Sequence, residues 1–157
     1  MTRLRGRAPI GERLIGKTPH GHWKITTFVA ALRCDAVTAP MVIDRPMNGT
    51  IFLGYIVQFL LPTLRQGDIV VMDNLPAHKD AGIAEAINSV GARLLYLPPY
   101  SPDLNPIEQM FAKLKALLRK AKERTIDDLW ARIGTLLDEV SAQECANYFT
   151  HAGYSAI

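Results

Sequence analysis

The chain has 157 residues, 48% of them hydrophobic and 21% charged, which are proportions of a globular chain rather than a disordered or membrane-spanning one. This length suits one domain with a substantial core. Eighteen Lys and Arg against 15 Asp and Glu leave a net charge of +3, which by itself points only weakly to a polyanionic partner. No apolar run approaches the roughly 20 residues of a membrane span. The basic, polar start does not resemble a signal peptide, and the two cysteines, Cys34 and Cys145, match no metal-ligand spacing. Two reduced thiols in a cytoplasmic protein without a membrane partner are the expectation.

Residues 1–22 read as an irregular basic arm, in which Arg3, Arg5, Arg7, Arg13 and Lys17 face a single acid, Glu12. His20-Gly21-His22 has no further ligand nearby and is not taken as a metal site. Residues 23–104 should form the sheet core. Trp23 to Leu32 and Pro40 to Ile43 are rich in β-branched and aromatic residues, and predict two strands joined by a turn near Asp35. Asn48 is placed to cap a helix reaching about Leu64, where Phe52, Tyr55, Ile56 and Phe59 recur at helical spacing and should pack on the sheet.

Ile69-Val70-Val71-Met72 is a short continuous apolar run, the pattern of a strand buried on both faces, and it ends on Asp73. Open α/β sheets carry their ligand sites at that end of a strand. Lys79 to Val90 has helical spacing, with Ile83, Ile87 and Val90 on one face, and Gly91 supplies the stop. Ala92 to Leu97 predicts a second strand, parallel to the first through a right-handed crossover. The loop Pro98-Pro99-Tyr100-Ser101-Pro102 then leads to a helix that opens on Asn105-Pro106-Ile107-Glu108.

Residues 105–157 predict three helices. Ile107, Phe111, Leu114 and Leu118 make the apolar face of the first, while Glu108, Ala112, Lys115, Arg119 and Lys122 lie along an adjacent face. Thr125 starts the second, with Leu129, Ile133, Leu136 and Val140 inward. Ser141 and Glu144 form a capping-box pattern for the third, and Gly153 ends it.

The segments DNLPAHK (73–79) and LPPYSPDLNPIEQMFAKLK (97–115) resemble the catalytic core of mariner-like DDE transposases, in their bacterial insertion-sequence branch. Thirty-four residues, 74–107, separate Asp73 from Glu108, the interval typical of that family. HGHWK at 20–24 and ANYFTHAGY at 146–154 extend the similarity over nearly the whole chain. The resemblance implies an RNase H-like α/β fold with a mixed sheet flanked by helices. It implies metal-dependent DNA cleavage and strand transfer, with Asp73 and Glu108 as the second and third metal-binding acids. The implied cofactor is Mg2+, with Mn2+ as substitute, in a two-metal site. The implied partner is double-stranded DNA, both transposon ends and target, held by His78, Lys79, Lys113, Lys115 and Arg119. A homodimer, or complementation by the product of an upstream reading frame, belongs to the same picture, as does association with the bacterial nucleoid.

Other readings of these residues stand beside that one. VVMDNLP also resembles the phospho-acceptor strand of a receiver domain, but such a domain needs an acidic pair after its first strand, and no acidic pair precedes Asp73. Asn105, Pro106 and Glu108 make a helix-capping pattern that requires no metal. Asp103, following Pro102, is explained as a turn residue.

The family's first acid lies upstream of the basic arm, on the first and central strand of the sheet. Before Asp73 this chain has only Glu12, Asp35, Asp44 and Asp68, none in a matching motif, with Asp44 the one candidate substitute. The expectation is an N-terminally truncated catalytic domain that lacks the usual first strand. Alone it should be inactive, and poorly folded unless another segment completes the sheet. The alternative is a non-catalytic DNA-binding or transposition-inhibiting protein.

Overall fold

A computed structural model describes residues 7–15 and 25–154. Most of the basic arm, the HGHWK segment and the predicted strand start at Trp23 lie outside the described residues. Strands β1 (Thr27–Leu32) and β2 (Val37–Ile43) pair antiparallel, as predicted. Val29 pairs with Met41 but Ala31 pairs with Thr38, so β2 carries one extra residue at this point. Ala39 absorbs it with a φ of 50°, a conformation disfavoured for a residue with a Cβ. The bulge re-phases the strand. Val37 and Val42, an odd number of positions apart, therefore reach the same core, while Ala39 and Met41 reach the other.

Helix α1 (Gly49–Tyr55) starts at Asn48, whose side chain accepts the Ile51 N–H at 2.9 Å. The single helix expected to Leu64 changes its hydrogen bonding on the way. Residues Ile56–Leu60 form a wider π turn, in which the Leu61 N–H reaches back to Ile56, and Leu61–Thr63 close as a 3-10 turn. Pro62 lacks an N–H and cannot continue an α-helical ladder. The wider turn swings Phe59 off the apolar stripe, so it is exposed while Phe52, Tyr55 and Ile56 are buried.

Strand β3 (Ile69–Met72), helix α2 (Ala81–Ser89) and strand β4 (Arg93–Tyr96) form the expected parallel unit. Asp80 caps α2 through the Gly82 N–H. Gly91, with φ of 78°, turns the chain where a Cβ would stand 2.9 Å from Gln66 Cγ. The C-terminal helices α3 (Pro106–Ala121), α4 (Ile126–Asp138) and α5 (Ala142–His151) follow the predicted caps at Thr125 and Ser141. Among the described residues no helix is long and apolar enough to cross a membrane.

Two cores result. One joins α1, its π extension and α2 to Val29, Ala31 and Met41 of the hairpin and to Val70, Met72 and Leu94 of the parallel pair. The other packs Met110, Leu114, Leu118, Ile133 and Leu136 against Phe28, Val37 and Val42, on the opposite face of the hairpin. The hairpin is therefore covered on both faces and the parallel pair on one. This corrects the expectation for β3: Ile69 is 48% exposed, as is Leu95 at 52%, because α3 to α5 cover β1 and β2 instead. The strands form two separate two-stranded sheets, β1-β2 and β3-β4, with no hydrogen-bonded ladder between them among the described residues.

Candidate functional site

Asp73 follows directly on β3, and its position is set by a tight local turn. Its Oδ1 accepts the Leu75 N–H at 3.3 Å, the side-chain turn that Asp favours where a strand breaks. Pro76 then opens a single 3-10 turn, Pro76–His78, closed by the His78 N–H on the Leu75 carbonyl at 3.0 Å. That turn folds His78 back, so that Nδ1 stands 2.6 Å from Asp73 Oδ1. The approach is close but not aligned as a hydrogen bond, leaving Nδ1 a buried polar atom without a hydrogen-bond partner among the described residues. The imidazole stacks on Phe52 of α1 at 4.0 Å between centroids, and the Tyr96 hydroxyl of β4 donates to the His78 carbonyl.

Glu108 lies in the first turn of α3, after Asn105 and Pro106. Asn105 holds the N-cap position and Pro106 the first turn, as the capping pattern predicts, but the Asn105 side chain makes no capping hydrogen bond. The Glu108 carboxylate makes no hydrogen bond or ion pair among the described residues, and is free for a ligand. Asp103 sits in a 3-10 turn, Pro102–Leu104, as its sequence context predicts. Asp44, the candidate substitute acid, is exposed at the end of β2 and accepts from Thr26 Oγ1.

Asp73 and Glu108 are hard oxygen donors, suited in kind to Mg2+ or Mn2+, and the unsatisfied His78 Nδ1 marks a polar site beside the first of them. In number they fall short. Among the described residues no group of three or more His, Cys, Asp or Glu side chains is placed to hold a metal ion, so Asp44 does not complete a trio.

The predicted basic contacts divide. Lys115 and Lys79 are exposed, and Arg119 is half-buried one turn beyond Lys115 on the same face of α3. Lys113 instead reaches α5, with Nζ 2.6 and 2.8 Å from the two oxygens of Glu144. Glu144 also accepts the Tyr148 hydroxyl. The Lys113 ammonium, followed by that hydroxyl, holds the Glu144 carboxyl below its usual range, and burial with Glu144 beside it pushes the Tyr148 phenol up. Sequence reasoning missed Glu144 as a partner of Lys113, since it read Glu144 as a capping residue. It missed Phe52 and Tyr96 as well, because an aromatic at helical spacing or in a strand signals only core.

The domain is thus a mixed α/β fold with one acid, Asp73, at the carboxyl end of β3 and another, Glu108, in the first turn of α3, after β4. The chain belongs to the DDE superfamily endonuclease family, which it matches over residues 1–130. No curated protein matches it in sequence. Its fold is similar to that of the Mos1 transposase in the pre-cleavage transpososome (TM-score 0.78, 13% identity, 96% of this chain and 47% of that one). It is also similar to the Mos1 strand transfer complex (TM-score 0.76, 15% identity, 96% and 46%). For the Mos1 catalytic domain with raltegravir and Mn, the TM-score is 0.67 at 14% identity, covering 81% of this chain and 76% of that one. The chain thus spans just under half the length of the transposase in the two assemblies.

Proposed function

We propose that this chain is the catalytic-domain portion of a transposase that cleaves DNA and transfers strands with the help of divalent cations. The observation that carries the reading is Asp73, set at the end of β3 by its own turn and by His78, in a fold of transposase type. Glu108, uncapped at the start of α3, is the second acid. A pair of bound Mg2+ or Mn2+ ions would supply activation of the attacking oxygen and stabilisation of the leaving one. The chain's own residues would hold those ions through Asp73 and Glu108, and guide a DNA backbone along Lys115 and Arg119, with Lys79 as a further contact. Double-stranded transposon ends and target DNA are the proposed substrates, and the nucleoid the proposed place of action.

Among the described residues no third acid stands with Asp73 and Glu108, and complementation is the proposed source of a further carboxylate. A second copy or the product of an upstream reading frame would serve. The test is Mn2+-dependent nicking of a supercoiled plasmid by the chain mixed with an upstream segment. Nicking abolished by Asp73→Ala and by Glu108→Ala supports the enzyme. The same shortage of ligands favours a second reading, a DNA-binding regulator without catalysis. Salt-sensitive DNA binding that is indifferent to both substitutions, with no nicking, would select it.

A further inference from the structure

We propose that Phe52 and Tyr96 are positioning residues for Asp73, acting through His78. The segment that carries Asp73 away from β3 has little to anchor it, since Leu75 and Pro76 are exposed. Its fixed point is His78, and two elements, α1 and β4, converge there. Phe52 belongs to α1, is 5% exposed and sits in the first core, so its ring is a rigid surface. The His78 ring lies on it at 4.0 Å and 28°, which sets the plane of the imidazole. Tyr96, on the strand paired with β3, holds the backbone of the same residue through its carbonyl. With the plane and the backbone both set, the place of Nδ1 is set too, 2.6 Å from Asp73 Oδ1.

The consequence falls on the carboxylate. Both contacts to Asp73, from the Leu75 N–H and from His78 Nδ1, are made to Oδ1. Oδ2 has no hydrogen-bond partner among the described residues, so the contacts engage one chosen oxygen and leave the other unengaged. Supports of this kind orient a ligand before it binds and are felt by the ligand's affinity. Phe52 and Tyr96 touch neither DNA nor metal in this scheme. The clamp rests on the reading of Asp73 as a functional acid for its purpose, but its existence is measurable without a metal.

The experiment is NMR on the isotope-labelled full chain, metal-free. Three-bond couplings report the side-chain rotamer of Asp73, and amide exchange reports the Leu75 N–H. The unaltered chain should show one Asp73 rotamer and a protected Leu75 amide. Phe52→Leu, which keeps an apolar side chain but removes the ring face, should bring rotamer averaging and loss of Leu75 protection, and Phe52→Trp should restore both. Tyr96→Phe, which removes only a hydroxyl, should act in the same direction. A single Asp73 rotamer and unchanged Leu75 protection in both Phe52→Leu and Tyr96→Phe would overturn the proposal. Should Phe52→Leu also expose the Ile83 and Ile87 amides of α2, the core has loosened and Tyr96→Phe alone decides. Mn2+ added afterwards tests the metal reading separately. An intact clamp with no broadening of Asp73 and Glu108 signals would remove their role as ligands and leave the clamp standing.

Discussion

The Arg33 guanidinium grips both oxygens of Asp68, with Nη1 2.7 Å from Oδ2 and Nη2 3.2 Å from Oδ1. Arg33 follows β1 and Asp68 precedes β3, so the pair ties together two sheets that share no ladder among the described residues. Asp68 also accepts the Arg65 N–H at 2.9 Å. The two-pronged geometry fixes a direction that a lysine in place of Arg33 could not.

Asp68→Asn should therefore lower stability by about 1 kcal/mol, between the values of an exposed ion pair and a buried charged hydrogen bond. The sign with pH follows from the shift. Arg33 holds the Asp68 carboxyl below its ordinary range, so its stabilisation is complete above the unfolded-state pKa and is lost as pH falls through the lowered folded value. Urea unfolding from pH 6 down to pH 2 should show a shallower acid decline in Asp68→Asn than in the unaltered chain. Parallel declines would mean the pair contributes nothing.

The α3 lysines should separate in DNA binding. Lys115→Ala and Arg119→Ala should each lower the slope of log affinity against log salt by about 1, the mark of one lost phosphate contact. Lys113→Ala should change it less, because Glu144 already neutralises that ammonium. Glu144→Gln should tighten binding by freeing it. Equal slopes for all three lysine and arginine variants would show that the Lys113–Glu144 pair opens on DNA.

Tyr55 is 3% exposed, its hydroxyl has no hydrogen-bond partner among the described residues, and burial pushes its phenol up. A buried polar group without a partner costs about 1 kcal/mol or more. Tyr55→Phe removes that oxygen and keeps the ring that packs beside Phe52, so Tm should rise. A fall in Tm would reveal a partner for the hydroxyl.

Neighbouring leucines on β4 should respond in opposite ways. Leu94 faces the first core, while Leu95 is half exposed on the uncovered face. Leu94→Ala should cost about 2 kcal/mol and Leu95→Ala well under half of that, since only the first opens a cavity. Comparable losses in chemical denaturation would mean that the second face is covered in solution.

Much of this protein is written in short stretches of sequence. Asn48, Thr125 and Ser141 cap helices where their side chains predicted it, because a cap is decided within three residues. The parallel unit from Ile69 to Tyr96 follows from one apolar run, one helical period and Gly91, and it delivers Asp73 to a strand end. Glu108 at the head of α3 was equally legible, with Pro106 marking the first turn. The sequence also contained both readings of Glu108, cap or free acid, and could not choose, since the choice turns on where one Asn105 side chain points.

Tertiary structure decided what depends on partners distant along the chain. Ile69 and Leu95 carry the same apolar character as Val70 and Leu94, and only the placement of α3 to α5 over the hairpin left them bare. Lys113, exposed like Lys115, gained Glu144 as its ion partner because α5 lies against one side of α3. His78 acquired its stack on Phe52 through the packing of α1 beside the Asp73 turn. Periodicity and capping act over a few residues and are readable locally. The face a strand buries, and the partner a charge meets, are set by how whole elements pack, and no window of sequence contains that.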